Sequence, residues 1–379
     1  MEKKRILIFI DWYKPGFKAG GPIRSISNLV DYVSDKLDIY IITSNTDYLD
    51  DKTYKTVKSD QWNKVDNASV HYLSNTNTNY KNIKKLITEI NPNTIYCNSL
   101  YSLYFSLIPL YIAKNKNIKN ILAVRGMLSE GSLGVKSLKK KLFLRASKIL
   151  GLFNTCSFHA TNAAERKDIQ NTFGINTPIT IAQNLPEKKE INFLPKQKEP
   201  NSLKLVFIGR IAPEKNTLFA LEILKLVTSN INFDIYGPIY AEDYWEKCKA
   251  VINQLPSNIV VNYNGVLEHS KIDETLKKYH ALFLPSTGEN FGHIIIESMI
   301  NSCIPIISDK TPWRNLSQKS IGFDIGLDRI NQFSETINHL ALLDEKETNS
   351  MAKNAHQFAH NIINDKKLIE DYYKLFQLN

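Results

Sequence analysis

The 379-residue chain has little cysteine, and what it has is scattered. Cys97, Cys156, Cys248 and Cys303 never form a CxxC pair. That spacing argues against a zinc knuckle or a disulfide framework and fits a reducing compartment. Long apolar runs are missing too. The start, MEKKRILIFIDWY, is basic, but its uninterrupted apolar run is only residues 6–10, shorter than a secretory signal needs. The longest apolar-looking stretch, residues 100–113, is too short to span a bilayer and contains Pro109. A soluble, cytoplasmic chain is expected. There is no short-period repeat. Acids are nearly absent from one window: residues 114–148 hold ten basic side chains against Glu130 alone, so they carry +9 of the net +10. A charge so localised points to an anionic partner, whether membrane lipid, a phosphorylated acceptor or nucleic acid.

What is present is alternation. Strands are predicted at 5–12, 38–44, 94–97, 121–125, 156–161 and 179–184, and helices at 22–36, 83–90, 100–114, 136–153 and 163–173. Residues 74–80 read as a loop. A linker with three prolines and many charges follows at 186–201. The pattern then restarts, with strands at 203–210, 233–237, 259–263, 281–285 and 304–308 and helices at 217–228, 242–253 and 293–300. Such alternation implies parallel sheets with helices on both faces. The expected fold is α/β, with two doubly wound Rossmann-like domains facing a central cleft. The expected boundaries are 1–185 and 186–364, with a tail helix within 365–379 that could pack back.

Three groups should lie at strand ends, where doubly wound sheets bind ligands. In Gly20-Gly21-Pro22, after strand one, glycines would let the backbone approach a phosphate or acceptor closely. The plain alternative is a glycine turn with Pro at the first helical position. In FIGRIAPEK, Gly209-Arg210 ends a strand and Lys215 opens a helix. Two cations there can clamp a diphosphate, or form a solvated pair with Glu214. The third group is ALFLPSTGENFGHIIIESMI. Here a buried strand ends at Pro285, a loop carries Glu289, Asn290, Phe291 and Gly292, and Glu297 lies one turn into the helix. Free amides at the helix start favour an anion, and the two acids could bind ligand hydroxyls. Taken singly, each acid also reads as an ordinary surface carboxylate. His293 could pack, cap or face the ligand.

Together these residues resemble glycosyltransferase family 4, also called group 1, of the GT-B fold. The resemblance rests on Gly209, Arg210 and Lys215, on Asn264-Gly265 and Pro285-Ser286, and on the E-x7-E pair Glu289…Glu297 with Phe291-Gly292. It continues through Pro305-Ile306-Ile307 and Thr311-Pro312-Trp313. The first half adds Gly20-Gly21-Pro22, Arg125-Gly126, His159-Ala160-Thr161 with Glu165, and Asn184. The GGPxxS start with RGMLSEGSL looks like the bacterial polysaccharide and lipopolysaccharide subgroup. The resemblance implies a retaining hexosyltransferase-type enzyme without a metal or other cofactor. It would use a UDP- or GDP-sugar and a saccharide acceptor, often lipid-linked.

In that family's terms Arg210 and Lys215 would hold the diphosphate, Glu289 the sugar and Glu297 the ribose. The Phe291-Gly292 amides would meet the phosphate, and Gly21 would lie against phosphate or acceptor. The departing phosphate would take the acceptor proton, so no protein nucleophile is implied. Two departures stand out. Arg125 occupies the place of a frequent His and cannot serve as a base at neutral pH; an anion-binding role is expected. Ser302-Cys303 replaces a usual glycine. The other readings of the chain are a non-catalytic sugar-nucleotide or membrane-binding subunit and a GT-B epimerase. The basic helix from Lys136 suggests docking on an anionic membrane surface through Lys136 to Lys148, against the plainer reading of an amphipathic helix with a solvated basic side. Nucleic acid is disfavoured because no stacking aromatics interleave with those lysines.

Overall fold

The computed structural model describes residues 3–129 and 137–378. Glu130, the whole GSLGV segment after it and Lys136 lie outside the described residues. The chain divides into two compact units, Met1–Lys188 with Asp365–Asn379, and Lys189–Asn364.

The first unit holds an eight-stranded sheet. Its strands are β1 (Lys4–Phe9), β2 (Leu37–Ser44), β3 (Trp62–Val65), β4 (Ala68–Leu73), β5 (Thr94–Cys97), β6 (Lys119–Ala123), β7 (Ser157–Ala160) and β8 (Ile179–Ile181), in the order β3-β4-β2-β1-β5-β6-β7-β8. All neighbouring pairs are parallel except β3 with β4. That antiparallel edge corrects the expectation of a purely parallel sheet, and β3 and β4 had not been foreseen. β3 (WNKV) is only half-buried at best, so it lacks the apolar run that marks an interior strand. The central strands behave as parallel strands should: every residue of β5 is buried.

The Gly21–Val33 helix buries Ile23, Ile26, Leu29, Val30 and Val33, the face its sequence spacing prescribes. The helix expected at 100–114 is split. Leu103–Leu107 forms a π-helical turn before the α-helix Ile108–Asn115, and Pro109 lies at the start of the latter, where a missing N–H costs nothing. The tail helix Lys366–Phe376 belongs to the first unit. Its Tyr372 ring lies 5.4 Å from His159, and Phe376 lies 5.9 Å from Tyr96.

The second unit holds a six-stranded sheet ordered β11-β10-β9-β12-β13-β14, parallel throughout. Its strands are β9 (Ser202–Ile208), β10 (Asn230–Tyr236), β11 (Ile259–Tyr263), β12 (Ala281–Leu284), β13 (Ile304–Ser308) and β14 (Phe323–Ile325). β12 and β13 are wholly buried and lead into the loops that carry the candidate residues. The helix expected at 217–228 ends at Leu224, where Leu226 and Val227 bond back to Ile223 and Leu224 in a tighter turn. The helices Ile330–Leu342 and Glu345–Ile363 complete the unit. The second begins with a capping box in which Asp344 and Glu347 bond each other's backbone.

In each sheet the chain runs outward from one strand and then crosses to its other side. The order reverses between β1 and β5 in the first unit and between β9 and β12 in the second. Those reversals leave a crevice beyond the carboxyl ends of the strands, where doubly wound sheets take ligands.

Candidate active site

The reversal in the second unit brings together two stretches that are far apart in sequence. Gly209-Arg210 follows β9, and Pro285 to Gly292 follows β12. The loops are tied by backbone and amide bonds. Asn216 Nδ2 donates to the Pro285 carbonyl at 3.0 Å, and the Thr287 N–H donates to the Glu214 carbonyl at 3.0 Å. Asn216 sits at φ +61, a left-handed position Asn tolerates better than most residues. It therefore turns the chain into the Thr217–Leu224 helix while its side chain holds the opposite loop. Lys215 is thereby placed with its Nζ 2.5 Å from Glu289 Oε1. Both groups are largely enclosed, with side-chain exposures of 20% and 9%.

Arg210 is arranged differently. Its guanidinium lies 3.2 Å from Glu214 Oε1, and its Cζ is 5.7 Å from the Tyr240 ring centroid. The Glu214 pairing held open by the sequence is therefore real for Arg210, whereas Lys215 turns to Glu289. The two cations have not formed a bare diphosphate clamp. Each is paired with a carboxylate, and a phosphate would have to share or displace one of them.

The Gly209 backbone owes its position to a residue that sequence reading missed. A Cβ on Gly237, at φ +144, would stand 1.9 Å from the Gly209 carbonyl oxygen. The Gly209 N–H bonds the Tyr236 carbonyl, and the Gly237 N–H bonds the Gly265 carbonyl. Three strand-end loops thus stack backbone to backbone. The Tyr-Gly-Pro sequence after β10 was the available signal.

Gly292 is equally constrained. It sits at φ +74 as the N-cap of the His293–Ile300 helix, and a Cβ there would meet Ile295 Cδ1 at 2.8 Å. No side chain caps this helix, and the Ile295 N–H bonds the Gly292 carbonyl at 2.8 Å; the positive end of the helix dipole faces the loop that carries Glu289 and favours an anion there. Around Gly288 there is open space. Phe291 is buried against Trp313, whose Nε1–H donates to the Phe291 carbonyl at 2.5 Å, and His293 packs 4.8 Å from the Phe291 ring. The His293 ring is buried. Pro285 is buried at the strand end, and Asn290 is half-buried in the loop beside Glu289.

Glu297 is not the surface acid its helix position could suggest. It is 4% exposed, and His269 Nε2 lies 3.9 Å from its Oε1. His269, on the short turn His269–Lys271, is a neighbour that sequence reading did not foresee. Ser302, where a glycine was expected, does adopt φ +62, and its Oγ accepts the Leu194 N–H at 3.1 Å.

In the first unit, Gly20 has φ +68, and Gly20 and Gly21 have only open space where a Cβ would project. The Gly21–Val33 helix likewise has no side-chain cap. Arg125 departs from expectation. Its Nε donates to Asn98 at 2.7 Å, one terminal nitrogen donates to Tyr96 Oη at 2.8 Å and the other donates to Asn184. The guanidinium is not free to meet an anion; a ligand would have to break one of these bonds. Tyr96 Oη also pairs with His159 Nδ1 at 2.7 Å, and His159 Nε2 meets the Ala182 carbonyl at 2.7 Å. A carbonyl only accepts, so His159 carries its proton on Nε2 and Tyr96 donates to Nδ1. Burial, reinforced by the nearby Arg125 charge, pushes His159 down to about 3. Glu165 is also structural: it accepts the Gly126 N–H, the Thr161 N–H and the Thr161 hydroxyl at 2.6–2.7 Å.

Residues 188–358 match the family described as Glycosyl transferases group 1. No curated protein matches the chain at a significant level. Solved structures match it end to end. HepE from Anabaena, in complex with UDP-glucose, is 14% identical with a TM-score of 0.70, over 99% of this chain and 100% of that one. Sucrose-phosphate synthase from Thermosynechococcus elongatus is 12% identical with a TM-score of 0.71, over 99% and 98%. WaaG, a glycosyltransferase involved in lipopolysaccharide biosynthesis, is 12% identical with a TM-score of 0.66, over 94% and 95%. At such identities the likeness is one of fold: two Rossmann-like α/β units in the GT-B class. Among the described residues, no helix is long and apolar enough to cross a membrane.

Proposed function

We propose that this chain is a retaining glycosyltransferase. It moves a hexose from a UDP- or GDP-sugar to a lipid-linked saccharide acceptor of a bacterial surface polysaccharide. The observation that carries the reading is the Lys215–Glu289 pair beside the uncapped start of the His293–Ile300 helix. It lies in the segment that matches the group 1 family. The helix amides and the Arg210 and Lys215 cations take the diphosphate, Glu289 takes sugar hydroxyls, and Glu297 takes the ribose. As the bond from the anomeric carbon to the diphosphate breaks, negative charge grows on the leaving oxygen, where Lys215 stabilises it without a metal. The acceptor oxygen bonds the same face of the carbon and passes its proton to the departing phosphate. Lys215 is bonded to Glu289, so the group that meets the leaving phosphate is positioned by the group that reads the sugar.

HepE binding UDP-glucose supports a uridine donor, and the part WaaG plays in lipopolysaccharide biosynthesis supports the surface-glycan setting. The basic segment through Lys139, Lys140, Arg145 and Lys148 would bring the enzyme to the anionic cytoplasmic face of the membrane, where a lipid-linked acceptor resides. The test is a thermal-shift panel of UDP-, GDP-, ADP- and TDP-sugars. A bound donor raises the melting temperature by mass action, and either a UDP- or a GDP-sugar should do so. A panel in which none shifts the transition would remove the reading, and turnover abolished by full chelation would remove its metal-free part.

A further inference from the structure

The helix Ser137–Ile149 exposes two of its three leucines and its isoleucine. Leu138, Leu142 and Ile149 are 81%, 68% and 86% exposed, whereas Leu144 and Ser147 are buried. At 3.6 residues per turn, Leu138, Leu142, Arg145 and Ile149 fall within about a sixth of the helix circumference. That stripe is opposite the face holding Ser147. The inward side is secured by Phe143, whose ring lies 5.3 Å from Tyr101 and 6.5 Å from Phe153. Two further apolar side chains are exposed outside the stripe. Leu150 is 75% exposed and Ile175 73%, and Ile175 and Lys148 line one groove of about 940 Å³ with Phe153, Phe158 and Phe173. Single exposed apolar side chains are ordinary, but three on one stripe of one helix are not.

The charges around this stripe are of one sign. Lys139, Arg145 and Lys148 are exposed, the helix sequence contains no acid, and Lys114 on the adjoining helix reaches the Gly151 carbonyl at 3.4 Å. A second copy of the chain packed here about a two-fold axis would set these cations against themselves. An anionic bilayer meets both features: its headgroups match the lysines and arginine, and its acyl boundary takes the apolar stripe.

We propose that this face is a membrane-insertion wedge. Leu138, Leu142 and Ile149 enter the acyl boundary of a bilayer containing anionic phospholipid, while Lys139, Arg145 and Lys148 hold its headgroups. This rests on the reading of an enzyme that works at a membrane surface and deepens it, because binding then has an apolar part that salt does not screen.

Vesicle co-sedimentation tests it, using equal parts phosphatidylglycerol and phosphatidylcholine, at about 0.1 M and about 0.5 M salt. The wild-type protein should bind at both, more weakly at the higher. Leu142→Asp/Ile149→Asp changes only exposed side chains; it should bind at least tenfold more weakly at low salt and not at all at high salt. Lys139→Ala/Lys148→Ala should lose the preference over pure phosphatidylcholine but keep salt-resistant binding. Equal binding by the aspartate variant and the wild type would overturn insertion while leaving electrostatic docking standing. No wild-type binding would overturn both. Wild-type self-association that the aspartate variant abolishes, with vesicle binding unchanged, would assign the face to a second copy instead. UDP affinity by calorimetry reads the donor site separately and should be unchanged in every variant.

Discussion

Lys215 and Glu289 stand 74 residues apart in sequence, and their side chains meet at 2.5 Å. A lysine bonded to a carboxylate has part of its charge neutralised at rest. The entering diphosphate competes for that charge, and the competition is strongest when the leaving oxygen is most negative. Lys215→Ala should therefore lower kcat by about a hundredfold or more, with KM changed far less. Steady-state kinetics with whichever donor shifts the melting temperature checks this. A loss confined to KM would make Lys215 a ground-state binding residue only. The two residues act as a unit, so Lys215→Ala and Glu289→Ala combined should cost much less than the product of the separate losses.

Glu297 gives a second test, separable from the first. Its carboxylate is buried, and a charged hydrogen bond to a ribose hydroxyl is worth about 1.5–3 kcal/mol. Glu297→Gln should weaken UDP or GDP binding by about tenfold to a hundredfold, measured by calorimetry, while inorganic pyrophosphate binds as before. Equal losses for both ligands would mean that the substitution disturbs the helix start rather than the ribose contact.

Much of this arrangement was legible in the sequence. β5, β11, β13 and the His293–Ile300 helix fall where their apolar runs and flanking turns put them. The E-x7-E pair was found, but its environment was not, because an eight-residue spacing says nothing about depth. Glu297 is buried by tertiary packing, and its neighbour His269 comes from a turn elsewhere in the unit. Arg125 was misread for the same reason. From sequence it is a cation at a strand end; its partners Tyr96, Asn98 and Asn184 converge on it only once the sheet is assembled. The edge strand β3 escaped notice because an exposed WNKV segment carries no apolar period. The Asp344 capping box was a usable signal that went unread.

Gly237 carries no chemistry, yet the site geometry depends on it. A Cβ would stand 1.9 Å from the Gly209 carbonyl oxygen, at a φ of +144 that L side chains rarely adopt. Neither partner is a flexible side-chain tip, so the clash must be relieved by backbone movement next to Arg210. Gly237→Ala should destabilise the protein by about 2 kcal/mol or more, read as a lowered denaturation midpoint. Donor affinity should also fall in the fraction that remains folded. Wild-type stability together with wild-type affinity would show that the strand-end loops are not held by this contact.

The buried chain from Arg125 through Tyr96 to His159 predicts a pH dependence of stability with a definite sign. In the folded protein His159 is held down to about 3 by burial and by the Arg125 charge, against an ordinary value of 6.5. Between those values the unfolded chain binds a proton that the folded chain refuses. The stabilising contribution is complete above pH 6.5 and is lost as the pH falls towards 3. For His159 alone the loss at pH 5 is about 2 kcal/mol. His280, lowered to about 4 by burial, acts in the same direction, and so does His71. Burial raises the carboxyls of Asp11 and Asp31, which act in the opposite direction, so the histidine contribution is read by comparing urea midpoints at pH 7.5 and pH 5 between the wild type and His159→Gln. The midpoint should fall at the lower pH, and His159→Gln should reduce the slope even though it also lowers the stability at pH 7.5. A pH dependence in His159→Gln as steep as that of the wild type would mean that His159 is not held neutral in the fold, and that the proton assignment of the network is wrong.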